Sequence, residues 1–182
     1  MNNIDYIKNW FLTNNKFLNE DEYKEQKLDI LVFYTIAFEK LGNLNIEDQI
    51  IINNGMITCE AKDMINNPDV ERILNIINIK FGYLSYEKLE KTPGYTYMKL
   101  SGINGLVTPK ELKENLEEIY LKTLKYYNNY NFNKYVYKIN EKIFFSVNQL
   151  NENELLQLYE INDHDQTLYE ISHNQNGEME IY

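Results

Sequence analysis

A chain of 182 residues, 43% hydrophobic and 25% charged, is the size of one ordinary domain with a modest extension. It is too short for two full domains and too apolar to be disordered along its whole length. Eighteen Lys and Arg against 28 Asp and Glu give a net charge of -10, which argues against a surface built to neutralise nucleic-acid phosphates or anionic lipid. Arg72 is the only arginine, so recognition through clustered arginines is excluded. Cys59, the single cysteine, has no partner for an internal disulfide. No charged and apolar leader pattern opens the chain, and the most apolar run, Leu28 to Leu41, is broken by Asp29, Thr35, Glu39 and Lys40. The expected compartment is therefore the cytoplasm, with no membrane span.

The elements follow in chain order. Ile4, Ile7 and Phe11 recur at helical spacing after two capping asparagines, which predicts a helix over 3–14. A second, more deeply buried helix is predicted over 20–41, stopped by Gly42. Two β-branched runs flank Asn53-Asn54-Gly55, predicting a two-stranded hairpin over 49–59. Asn67-Pro68 reads as a cap with proline at the first helical position, opening a third helix that runs to Gly82. A short helix is expected over 85–91, and Pro93-Gly94 and Gly102–Gly105 read as irregular connections. Thr108-Pro109-Lys110-Glu111 is a capping box that starts a long helix ending near Asn128.

Beyond this point the hydrophobic period changes from 3.6 to 2. Tyr135, Tyr137 and Ile139, then Ile143, Phe145 and Val147, predict a hairpin around Asn140-Glu141. A short helix is expected over 151–160, and a further hairpin pairs 168–173 with 178–182 across Asn176-Gly177. The fold class is α+β. Residues 1–130 are expected to form a mostly helical domain with a small β-hairpin, and residues 131–182 a small α+β extension with two hairpins.

The charge is concentrated in that extension. No Lys or Arg follows Lys142, and residues 151–182 hold eight carboxylates: Glu152, Glu154, Glu160, Asp163, Asp165, Glu170, Glu178 and Glu180. Residues 151–182 therefore carry -8 and the preceding 150 residues only -2. Such a segment serves solubility, or it complements a basic partner by occupying the positions that phosphates would otherwise fill.

Other chemistry is sparse. His164, between Asp163 and Asp165, and His173 match no metal-ligand spacing and read as a solvated loop. Cys59 has no CxxC partner, and the chain has no nucleophile elbow, P-loop or dinucleotide fingerprint. No cofactor, metal or catalytic residue is expected. Trp10, Tyr120, Tyr127 and Tyr130 read as packing, and Lys122, Lys125, Lys134 and Lys138 as a counter-charge or a solvated face.

Lys27 to Tyr34, Ile51 to Ile57 and Phe81 to Lys99 are three stretches that together resemble the Panacea domain, an antitoxin family of bacterial toxin-antitoxin pairs and phages. Lys27-Leu28, Leu31 and Phe33-Tyr34 look like its "KLxKLLYYA" helix, and Ile51 to Ile57 around Gly55 look like its strand and "yGPV" turn. Phe81-Gly82-Tyr83-Leu84-Ser85, Leu89, Thr92 and Tyr97-Met98-Lys99 are similar to the region before its last helix. Ile30 replaces the second lysine of the first motif, Met56 replaces the proline of the turn, and no tryptophan stands near Tyr97. The resemblance covers about residues 4 to 117 and implies a helical domain that neutralises a toxin by binding it.

Three functions are compatible with these readings. The first is an antitoxin-like inhibitor, not an enzyme, whose eight carboxylates bind a protein partner with a basic surface. The second is a phage-encoded, anti-CRISPR-like inhibitor of a defence nuclease that imitates nucleic acid, and the third is a hydrolase using scattered carboxylates. Direct nucleic-acid binding is not expected, and the sequence carries no mark of oligomeric state.

Overall fold

The computed structural model describes residues 2–44, 47–62 and 68–182, and the chain divides into two compact units, Met1–Asn129 and Tyr130–Tyr182. The protein is α+β, with helices dominating the first unit and strands the second. Among the described residues no helix is long and apolar enough to cross a membrane.

In the first unit α1 (Asn3–Asn14) is capped by Asn2, whose side chain accepts the Asp5 N–H, and it buries Ile7, Trp10 and Phe11. At the centre lies α2 (Lys24–Leu41), which buries residues around almost its whole circumference. It begins at Lys24 and not near residue 20, because Asp21 is extended and its carboxylate accepts the Tyr23 N–H at 2.8 Å. That local turn competes with helix, and Leu18–Glu20 forms a separate 3₁₀ turn. Strands β1 (Gln49–Asn53) and β2 (Met56–Glu60) join through Asn54 and Gly55, both at positive φ, as an Asn-Gly hairpin requires.

The helix α3 (Pro68–Ile77) passes into a π-helical turn, Asn78–Gly82; the expected Asn67 cap lies outside the described residues. Then come α4 (Tyr86–Glu90), capped by Ser85, and α5 (Pro93–Lys99). The latter corrects the expectation of an irregular connection at Pro93-Gly94. Pro93 occupies the first helical position, where its missing N–H costs nothing, and Gly94 permits close approach to Tyr34 and Leu116 rather than a turn. A second correction concerns β3 (Gly105–Leu106), which lies in the stretch expected to be irregular. It pairs antiparallel with β1, so the expected two-stranded ribbon is a three-stranded sheet ordered β2-β1-β3. The capping box of Thr108 and Glu111 opens α6 (Pro109–Tyr127), whose Leu112 and Leu116 join the core around α2.

The second unit is one four-stranded sheet, ordered β4 (Tyr135–Ile139), β5 (Lys142–Ser146), β6 (Leu168–His173), β7 (Met179–Ile181). Its two hairpins are joined by a parallel β5–β6 pair, and α7 (Glu152–Leu158) lies in the connection between those strands. Ile139, Phe144, Tyr169 and Ile171 from the sheet enclose a small core with Leu150 and Leu158. Phe144 stacks on Tyr169 with centroids 5.0 Å apart. Below about 70 residues such a core contributes only a few kcal/mol, and polar ties add modestly to it. One is the Tyr137 hydroxyl, which accepts the Leu150 N–H at 3.0 Å. Another is the Lys142 ammonium, which donates to the Asp163 and Gln166 carbonyls and to the Tyr169 hydroxyl, pinning the loop before β6.

Candidate acidic surface

The second unit carries nine carboxylates against Lys134, Lys138 and Lys142. The fold sorts the eight acids of residues 151–182 into different surroundings. Glu152, at the start of α7, and Glu160, just past its end, are both exposed. Asp163 and Asp165 are exposed in the loop that follows, where Asp163 Oδ1 accepts the Asp165 N–H at 2.9 Å. Glu178 sits in the β6–β7 turn and accepts from the Asn174 amide. Glu170 and Glu180 stand on the sheet face turned away from the Tyr169–Ile171 core, because Ile171 pairs with Ile181 and side chains alternate along each strand.

Two of the eight are held by side chains within the unit. Glu170 lies 3.2 Å from the Lys134 ammonium, which is nearly buried and sits 3.8 Å above the Tyr130 ring. Glu154 faces inward: one oxygen accepts the Asn151 N–H at 3.1 Å and the other lies 2.5 Å from His173 Nε2. Hydrogen bonding to His173, then to the Asn151 N–H, holds the Glu154 carboxyl below the usual carboxylate range. Glu152, Glu160, Asp163, Asp165, Glu178 and Glu180 make no ion pair among the described residues. The chain therefore places Glu152, Glu160, Asp163 and Asp165 along α7 and the loop after it, and Glu170 and Glu180 on the opposite sheet face.

Glu154, His173 and Glu178 line one open groove of about 450 Å³ together with Asn151, Asn153 and Gln157. His173 was expected to be solvated. Its role as the tether of Glu154 depends on a contact 19 residues away in sequence, which no local motif announces. His164 is exposed. Of the lysines read as a counter-charge, Lys134 pairs with Glu170, whereas Lys122 pairs with Glu118 on the exposed face of α6.

In the first unit two acids lie close together in the interior. Glu39 and Asp48 are both fully buried, and Asp48 accepts the Asn3 amide and, at 2.7 Å, the Lys62 N–H. Burial, and then the Asp48 charge, push the Glu39 carboxyl up to about 8. Neither residue reaches solvent, so the pair has the electrostatics of a general acid without access for a substrate. Cys59 borders a cleft of about 230 Å³ with Lys8 and Asp29, which form an ion pair at 3.3 Å. Among the described residues no group of three or more His, Cys, Asp and Glu is placed to hold a metal ion.

Comparison with protein-family models, with curated proteins and with solved structures returned no match.

Proposed function

We propose that this chain is a non-enzymatic, antitoxin-like inhibitor, working in the cytoplasm, that captures a protein partner through its acidic C-terminal unit. The observation that carries this reading is the folded state of the Tyr130–Tyr182 unit, which holds Glu152, Glu160, Asp163 and Asp165 exposed, with their carboxylates in no ion pair among the described residues. A disordered acidic tail serves solubility equally well. A sheet with a crossover helix fixes the carboxylates in space, and fixed charge complementarity speeds association and selects partners. The likeness of Lys27-Leu28, Leu31 and Phe33-Tyr34 to the Panacea helix supports the same class, binding without catalysis.

The test is affinity capture from the native host, followed by binding measurements on the purified pair. A basic partner is expected, and changing Glu152, Glu160, Asp163 and Asp165 together to lysine should abolish capture and flatten the dependence of affinity on salt. Undiminished binding by that variant rejects the reading. If the captured partner is a nuclease and the chain competes with its DNA, the target is a defence enzyme rather than a cognate toxin.

A further inference from the structure

We infer that the outward face of α7 is the docking surface, and that its occupant is a partner-protein segment presenting an apolar residue between two basic ones. The inference rests on the capture function proposed above and narrows it to Glu152, Leu156, Tyr159 and Glu160.

Helical spacing puts these four side chains together. Leu158 is buried and Leu155 packs beside it, so the opposite arc of α7 faces solvent. Along that arc Glu152, Leu156 and Glu160 follow each other at i, i+4 and i+8, and Tyr159 stands three residues after Leu156. Past Leu158 the chain continues for two residues as a tighter 3₁₀-type turn, in which Tyr159 N–H donates to Leu156 O and Glu160 N–H to Gln157 O, each at 3.2 Å, so Tyr159 and Glu160 stay wound onto the end of α7. Leu156, on the helix, is 64% exposed, and Tyr159, the residue that caps its C-terminal end, is 56% exposed.

Charge decides what covers them. Neither Glu152 nor Glu160 has an ion-pair partner among the described residues, and the unit's Lys134 and Lys142 are held by Glu170 and by the loop before β6. A second copy placed on this face by a two-fold axis would oppose carboxylates to carboxylates. A nucleic acid or an anionic membrane would meet the same repulsion. A basic partner gains twice, since its apolar residue covers Leu156 and Tyr159 while its cations meet the two glutamates at the rim, the arrangement of an interface centre and its polar edge. Six residues at 1.5 Å rise and two in the tighter turn at about 2 Å set those cations about 13 Å apart. A partner helix supplies that spacing with basic residues at i and i+8, and a partner strand with residues at i and i+4.

The test uses the full chain and two synthetic alanine-rich helical peptides of identical composition. In one, a leucine is flanked by lysines four residues before and four after; in the other, the lysines are adjacent. Amide chemical-shift titration at low salt should show the spaced peptide binding about tenfold or more tighter and moving the signals of Glu152, Leu156, Tyr159 and Glu160. Leu156→Ala and Tyr159→Ala should each weaken it about tenfold, with circular dichroism unchanged because both side chains point away from the core. Glu180→Gln should leave it unaltered. Equal binding of the two peptides, or shifts confined to other residues, overturns the inference while leaving acidic capture intact. No binding of either peptide overturns both. Self-association of the chain that Leu156→Ala abolishes also overturns it, by putting a second copy on the face.

Discussion

Glu154 Oε2 lies 2.5 Å from His173 Nε2, while Oε1 of the same carboxylate closes the capping box of α7 by accepting the Asn151 N–H. One side chain thus starts the helix and ties it to β6. Both partners are mostly buried, with 15% and 17% of their side chains exposed, so the hydrogen bond is shielded from water.

The tie predicts a pH dependence. His173 and the Asn151 N–H hold the Glu154 carboxyl below its ordinary range, so the folded state favours the charged form more than the unfolded chain does. That stabilisation is present above the ordinary carboxylate range and is lost as pH falls through the folded value. Glu154→Gln should cost about 1.5–3 kcal/mol near neutrality, the usual size for a hydrogen bond to a charged group, and progressively less as pH falls through the folded value. Urea melts of both proteins across this range measure the difference. A gap independent of pH would show that the charge of Glu154 is not its source.

Glu39 behaves in the opposite sense. Burial first, and Asp48 second, raise its carboxyl to about 8, more than the Asn3 amide and Lys40 lower it. The folded chain therefore holds a proton that the unfolded chain releases. The associated stability is complete below the ordinary carboxylate value and declines as pH rises through about 8. Glu39→Gln, nearly isosteric and always neutral, should remove this dependence. At about pH 9 it should be more stable than wild type by an amount on the order of 4 kcal/mol, with the two curves converging below about pH 4.5. Urea midpoints at constant m-value test it, and parallel pH profiles for the two proteins would refute it.

The parts of the fold legible in the sequence are those fixed by neighbouring residues. Asn54-Gly55, the Thr108–Glu111 box and the change of period at Tyr135 each act over a few residues, and each marks an element boundary. The parts that were not legible depend on distant partners. Two residues at Gly105–Leu106 have no period of their own and become β3 only because β1 offers an edge. Pro93-Gly94 carries the signature of a turn as well as that of a helix start, and Tyr34, some 60 residues earlier, decides between them. The candidate site divides in the same way. Its eight acids could be counted from the sequence, but their sorting depends on Lys134 and His173 contacting them across the sheet and from β6.

Cys59 should be unreactive in the folded protein. Burial, with Asp48 and Asp29 adding to it, pushes the thiol up to about 12, and only the thiolate is nucleophilic. At about pH 8 alkylation by iodoacetamide should be slower in the native chain than in urea by a factor of about 100 or more. Equal rates would mean that the cleft beside Lys8 and Asp29 does not shield the sulfur.

Gly94 sets two opposing effects against each other. Alanine at a helical position gains about 1 kcal/mol over glycine in an unhindered site. Here the new methyl would stand 3.0 Å from Tyr34 Cε1 and 3.2 Å from Leu116 Cδ2. Tyr34 has little room to retreat: its hydroxyl accepts the Tyr95 N–H at 2.9 Å and lies 2.5 Å from Thr92 Oγ1, and its ring stacks on Phe81 at 4.0 Å. Overpacking in a held core costs about 1–3 kcal/mol, so Gly94→Ala should be destabilising by about 1 kcal/mol net. Gly102→Ala is the comparison that isolates the cause. There a Cβ meets nothing within 4 Å but φ is +78°, so its penalty comes from the backbone alone. Pairing each change with Leu116→Ala in urea melts separates them. The smaller side chain should absorb part of the Gly94→Ala penalty and none of the Gly102→Ala penalty; equal, additive losses at both sites would show that contact with Leu116 does not set the requirement for glycine at position 94.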